Sequence, residues 1–185
     1  MRCLVLAQPR TRGNLLCREI CTAQNLQWLG EPYQQLTKLR PRSQLISCPD
    51  PYLIKLQTTD LLRLARPGHS LWAWQDWDQI YATYRRDRRA QLASLIVAET
   101  LGQWWVAGDS SPRPQPSLRY QADLHLVLAG QLRDELRIWQ HTVALLGGKV
   151  QICAYEDSRA SSTQMHCTGY DYREIFTNYW DIPWV

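Results

Sequence analysis

The sequence predicts an α/β fold, a three-layer sandwich with a short parallel sheet of about four strands flanked by helices. Three observations carry this. Four short apolar runs, Leu4–Ala7, Tyr52–Leu56, Gln79–Tyr84 and Val150–Tyr155, have the length and composition of strands. The first three each lead into a stretch of helical apolar spacing, and Gly, Pro and Asp punctuate the junctions. Alternation of this kind covers a parallel sheet on both faces and places ligands beyond the carboxyl ends of the strands.

Leu4 to Ala7 reads as a buried strand, and Leu15, Leu16, Ile20 and Ala23 have the spacing of a helix that opens after Gly13. Gly30-Glu31-Pro32 interrupts the next stretch, and the Pro/Arg-rich Leu39–Ser43 is a loop. Tyr52-Leu53-Ile54-Lys55-Leu56 is the second strand. Thr58-Thr59-Asp60 then supplies a cap for a short helix through Leu64, which Pro67-Gly68 ends.

After a Trp-rich connection, Gln79–Tyr84 is the third strand, and Asp87 caps a long helix carrying Leu92, Leu95, Ile96 and Leu101. Gly108, Pro112, Pro114 and Pro116 mark a mobile loop or lid. A helix from about Gln121 to Leu146 is stopped by Gly147-Gly148, and the last strand follows. Residues 1–157 thus form one α/β domain. Residues 158–185, polar and then aromatic, form a tail that docks on the domain or on a partner.

At 185 residues the chain is long enough for a sizeable core. Its formal charge of +4 suits a local anion site and lacks the basic excess of a nucleic-acid-binding domain, and no zinc-finger, RNP or helix-turn-helix pattern occurs. Nucleic acid is therefore not the expected partner. The apolar run at Leu4–Ala7 is too short for a secretory core or a membrane span, so the expectation is a cytoplasmic chain whose six cysteines stay reduced. Cys17 and Cys21 share a helix face, but even with His166-Cys167 they lack a second ligand pair of standard zinc spacing, so no metal is expected.

Two turns carry the chemistry. Gln8-Pro9-Arg10-Thr11-Arg12-Gly13-Asn14 sets two guanidinium groups, a hydroxyl, a glycine and an amide at the start of a helix. Free N–H groups and the positive helix end attract phosphate or sulfate there, and glycine lets the backbone come close. The pattern is not GxxxxGK[ST], which argues against an ordinary ATP or GTP loop. The second turn, Tyr84-Arg85-Arg86-Asp87-Arg88-Arg89, is followed by Ser94 one to two helical turns on, and Arg86 and Ser94 can converge on one phosphate. Taken singly, each turn also fits solvated loop charges, with Asn14 a simple cap and Ser94 bonded to its own backbone.

Together and in this order the motifs resemble the sulfotransferases, especially the carbohydrate and bacterial trehalose-type branch. The matching residues are Pro9-Arg10-Thr11 with Leu15-Leu16, Gly30-Glu31-Pro32-Tyr33, Ile54-Lys55-Leu56, Arg85-Arg86-Asp87 with Gln91 and Ser94, and Tyr155-Glu156-Asp157. The resemblance spans most of the chain. It implies a P-loop-like fold and 3′-phosphoadenosine 5′-phosphosulfate as donor, with sulfate passing to a hydroxyl of a sugar or small metabolite. It further implies that Arg10, Thr11, Arg12, Gly13 and Asn14 cradle the donor's 5′ end, that Arg86 and Ser94 hold its 3′-phosphate, and that Arg10 stabilises charge during transfer.

Two departures from the family pattern bear on activity. Arg12 stands where the family has glycine, and Gly13 and Asn14 stand where it has hydroxyl residues. The family's general base, the Glu of Pro-x-Glu-Tyr-Phe, falls on Gln34-Gln35-Leu36, leaving Glu31 as the substitute base and His69 as a second candidate. Trp72 and Trp74 fit either a sugar or adenine platform or one buried side of a strand. An alternative function follows from these departures: a catalytically inactive module of the same fold, used for binding or in a larger assembly such as a virus particle. The aromatic tail Tyr179–Val185 would then be its contact with a partner or a second copy.

Overall fold

The computed structural model describes residues 1–31, 50–64, 77–101 and 122–157. The strands are β1 (Arg2–Ala7), β2 (Gln27–Trp28), β3 (Tyr52–Gln57), β4 (Gln79–Tyr84) and β5 (Val150–Ala154). The helices are α1 (Gly13–Gln24), α2 (Thr58–Leu64), α3 (Arg88–Leu101) and α4 (Ala122–Leu146). The sheet is parallel throughout, in the order β2-β3-β1-β4-β5. An α/β sandwich is what the alternation of runs predicts. The strand beyond the predicted four is β2, whose two residues are too few to show a period.

Register sorts the side chains onto two faces. Val5 pairs with Lys55 on one side and Tyr81 on the other, and Leu4 pairs with Ile54 and Ile80. Because alternate residues point to opposite faces, Cys3, Val5, Leu53 and Tyr81 pack against Cys17 and Ile20 of α1. Leu4, Leu6, Ile54, Leu56, Ile80 and Ala82 pack instead with Leu61 of α2 and with Trp139 and Leu146 of α4. Fully buried leucines such as Leu4 and Leu6 contribute ~1.5–3 kcal/mol each by leaving water. Nearer the start of α4, Leu128 and Leu132 meet Leu92 and Leu95 of α3.

Local signals fix the helix ends. Asp60 accepts a 2.8 Å bond from the backbone N–H of Gln57 at the start of α2, and Asp87 accepts one of 2.9 Å from Ala90 at the start of α3. Asn25 ends α1 in the left-handed conformation, with φ 52° and ψ 50°. Gly147 has φ 56° and begins a 3₁₀ turn, Gly147–Lys149, that delivers the chain to β5. A second 3₁₀ turn, Tyr155–Asp157, follows β5. Among the described residues, no helix is long and apolar enough to cross a membrane.

Candidate anion site

The strand order locates the crevice. The chain leaves β1 toward the β2–β3 side and leaves β4 toward β5, and β1 and β4 are neighbours. Their carboxyl ends therefore flank the switch point of the sheet, where open α/β sheets bind ligands. Three turns meet there: 8–12 after β1, 85–87 after β4, and 155–157 after β5.

The turn after β1 is an unusual piece of backbone. Arg10 has φ 59°, and Arg12, the residue before α1, has φ 56° and ψ 26°. Left-handed residues other than glycine cost roughly 1–2 kcal/mol each, so surrounding bonds must impose the shape. They are present. Thr11 Oγ1 lies 2.7 Å from the Gln8 carbonyl and 2.6 Å from Thr83 Oγ1 on β4. From α3, Gln91 Nε2 donates to the Pro9 carbonyl at 2.7 Å and Arg88 Nη1 donates to Gln8 Oε1 at 2.5 Å. Arg10 Nε donates to Ser94 Oγ at 2.7 Å.

This shape leaves the backbone donors at the start of α1 without intrahelical acceptors. Arg12 makes no side-chain cap, and its carbonyl accepts from the N–H groups of Leu15 and Leu16 at 2.9 and 3.1 Å. The N–H groups of the first turn of α1 have no acceptor within the helix, and a left-handed residue followed by a helical one curls consecutive N–H groups toward an anion. Gly13 lies where the helix presses on the sheet. A Cβ there would sit 2.8 Å from Ala7 Cβ and 3.1 Å from Lys55 Cε.

Arg12 does not fill the mouth of the turn. Its guanidinium lies 4.4 Å from the centre of the Tyr155 ring, and that of Arg85 lies 4.2 Å from it. Gln8 Nε2, Arg12 Nη1 and Arg85 Nε are among the buried donors that have no acceptor among the described residues. Leaving such a group unpaired costs roughly 1–3 kcal/mol.

The turn after β4 is held by the turn after β5. Glu156 accepts from the backbone N–H groups of Arg86 at 3.0 and 3.1 Å and of Asp87 at 3.2 Å. Arg86 forks onto Asp157 through two 2.6 Å bonds. The fork raises the Arg86 pKa and holds the Asp157 carboxyl below the usual carboxylate range. Arg86 and Ser94 thus stand in different contacts, Arg86 with Asp157 and Ser94 with Arg10.

Glu31 and Asn14 meet beneath α1. Lys55 Nζ donates to Glu31 Oε1 at 2.6 Å and to Asn14 Oδ1 at 2.5 Å, and Gln57 Nε2 donates to Glu31 Oε2 at 3.2 Å. The Lys55 and Glu31 side chains are only 5% and 8% exposed, so Glu31 is an ion-pair partner with little access to an acceptor in solvent.

The structure therefore gathers Arg10, Thr11, Arg12 and Gly13 in one turn, joins Ser94 to it through Arg10, and places Asn14 and Glu31 with Lys55 on the α1 face of the sheet. Sequence reasoning placed Gln8, Lys55, Arg88, Gln91 and Tyr155 within its motifs but assigned a role to none of them, nor to Thr83. A lysine inside an apolar strand run and polar residues three apart in the second basic turn, Arg88 and Gln91, were the available signals. Gln34, Gln35, Leu36, His69, Trp72, Trp74, the 108–117 loop and the 158–185 tail lie outside the described residues. No family model matches the chain, and no curated protein matches it.

Proposed function

We propose that the chain binds 3′-phosphoadenosine 5′-phosphosulfate in the crevice between β1 and β4, as a sulfotransferase-like protein. The observation that carries this reading is the braced left-handed turn at Arg10–Arg12, which leads into the positive end of α1 beside the buried unpaired donors of Gln8, Arg12 and Arg85. The residues fit the ligand's chemistry. The first turn offers guanidinium groups and backbone N–H groups for the phosphosulfate, and Arg86 offers a forked donor for the 3′-phosphate.

In transfer, an acceptor hydroxyl oxygen bonds to sulfur as the sulfur–oxygen bond to the 5′-phosphate breaks. Adenosine 3′,5′-bisphosphate leaves, and the hydroxyl proton passes to a base or to solvent. Arg10 faces the charge that gathers on the leaving phosphate oxygen, a task that favours a pre-positioned cation.

A second reading, binding without transfer, is favoured by the buried contact of Glu31 with Lys55, which removes the nearest substitute base. Incubation with sulfur-35-labelled donor and a panel of sugar and small-hydroxyl acceptors separates the two. Labelled acceptor supports transfer. Donor that stabilises the fold in thermal denaturation but stays unconverted supports the binding module, and absence of both effects removes the phosphosulfate reading.

A further inference from the structure

We infer that Asp157 and Glu156 form an internal gate on the Arg86 end of this crevice, so that a ligand phosphate must displace the protein's own carboxylate to bind there. The inference rests on the binding reading above and deepens it. Arg86 meets Asp157 through both terminal nitrogens at 2.6 Å, the same planar fork a phosphate would use. Glu156 takes the backbone N–H groups of Arg86 and Asp87, which are the donors an anion would meet at the start of α3. Both carboxylates come from the single turn that follows β5, and Tyr155 of that turn lies against Arg12 and Arg85.

Both contacts lie at the surface. The Arg86 and Asp157 side chains are 53% and 60% exposed, and exposed ion pairs are weak because water and salt compete for both partners. A dianionic phosphate outcompetes such a carboxylate, whereas a neutral group does not. The gate therefore selects ligands that carry a phosphate at the Arg86 end. It also links that end to the first turn, since swinging 155–157 away releases the Arg12 and Arg85 guanidinium groups from the Tyr155 ring.

The test compares wild type, Asp157→Asn and Glu156→Gln by calorimetric titration with adenosine 3′,5′-bisphosphate and with adenosine 5′-monophosphate. Circular dichroism confirms that each variant is folded. Freeing Arg86 in Asp157→Asn should tighten the bisphosphate by about tenfold, the effect of removing one competing pair and one like charge near the phosphate. Monophosphate affinity should stay within about twofold. Glu156→Gln should move in the same direction by less, because the amide oxygen still accepts from the backbone. Bisphosphate binding that is unchanged or weaker in a folded Asp157→Asn, with wild type still binding, overturns the gate and leaves the binding reading standing. Absence of binding by wild type and both variants overturns the binding reading and the gate with it.

Discussion

Arg10 Nε and Ser94 Oγ are 2.7 Å apart, a bond between residues 84 positions apart in the chain. It ties the turn after β1 to α3 and orients the guanidinium that the binding reading places on the phosphosulfate. Ser94→Ala should cost roughly 0.5–1.5 kcal/mol of stability, the usual net value of such a bond. It should also weaken adenosine 3′,5′-bisphosphate by about threefold to tenfold through loss of orientation. Urea denaturation and titration read the two effects separately.

Lys55 and Glu31 are a buried pair, and a buried charge stripped of its partner is strongly destabilising. Lys55→Met alone should cost ~3–5 kcal/mol, and Glu31→Gln should cost less because Lys55 keeps Asn14 as an acceptor. The double variant Lys55→Met/Glu31→Leu should recover most of the loss of Lys55→Met. A shift in the denaturation midpoint measures each step.

Gly13→Ala places a methyl group 2.8 Å from Ala7 Cβ on a central strand that cannot yield. Overpacking of this kind costs roughly 1–3 kcal/mol, and the strain falls on the turn that carries Arg10 and Arg12. The variant should lose both stability and bisphosphate affinity.

Burial pushes the Cys17 thiol up to about 12 and the Cys3 thiol up to about 11 from an ordinary 9.0. Both should resist iodoacetamide in the native protein at pH 8 and react on unfolding. The folded state holds these protons more tightly than the unfolded chain. The stability linked to them is therefore full below pH 9 and is lost as pH rises toward 11–12. Denaturation midpoints measured across that window should fall.

The fold was legible because local signals agreed with one another. The runs at Leu4–Ala7, Tyr52–Leu56 and Gln79–Tyr84 are mostly apolar, with Lys55, Gln79 and Thr83 as the exceptions, because their strands are covered on both faces. Asp60 and Asp87 announce helix starts that the structure realises.

The candidate site was legible as two basic turns, since arginines at strand ends stand out in a sequence. Their partners were not, because pairing depends on register. Gln91 reaches Pro9 and Ser94 reaches Arg10 only because β1 and β4 are adjacent and α3 starts beside the first turn. The pairing of Lys55 with Glu31 likewise requires β2 to lie beside β3, where the Lys55 N–H donates to the Gly30 carbonyl. The carboxylates of Glu156 and Asp157 are 70 and 71 residues from Arg86, beyond any local pattern.

Calorimetric titration of the wild-type chain with adenosine 3′,5′-bisphosphate, beside a folded Arg10→Ala variant, tests the central claim most directly. Loss of a charge-assisted contact, about 1.5–3 kcal/mol, predicts saturable wild-type binding weakened at least tenfold in the variant. No wild-type binding, or equal affinity in both proteins, would contradict the assignment of this crevice as the donor site.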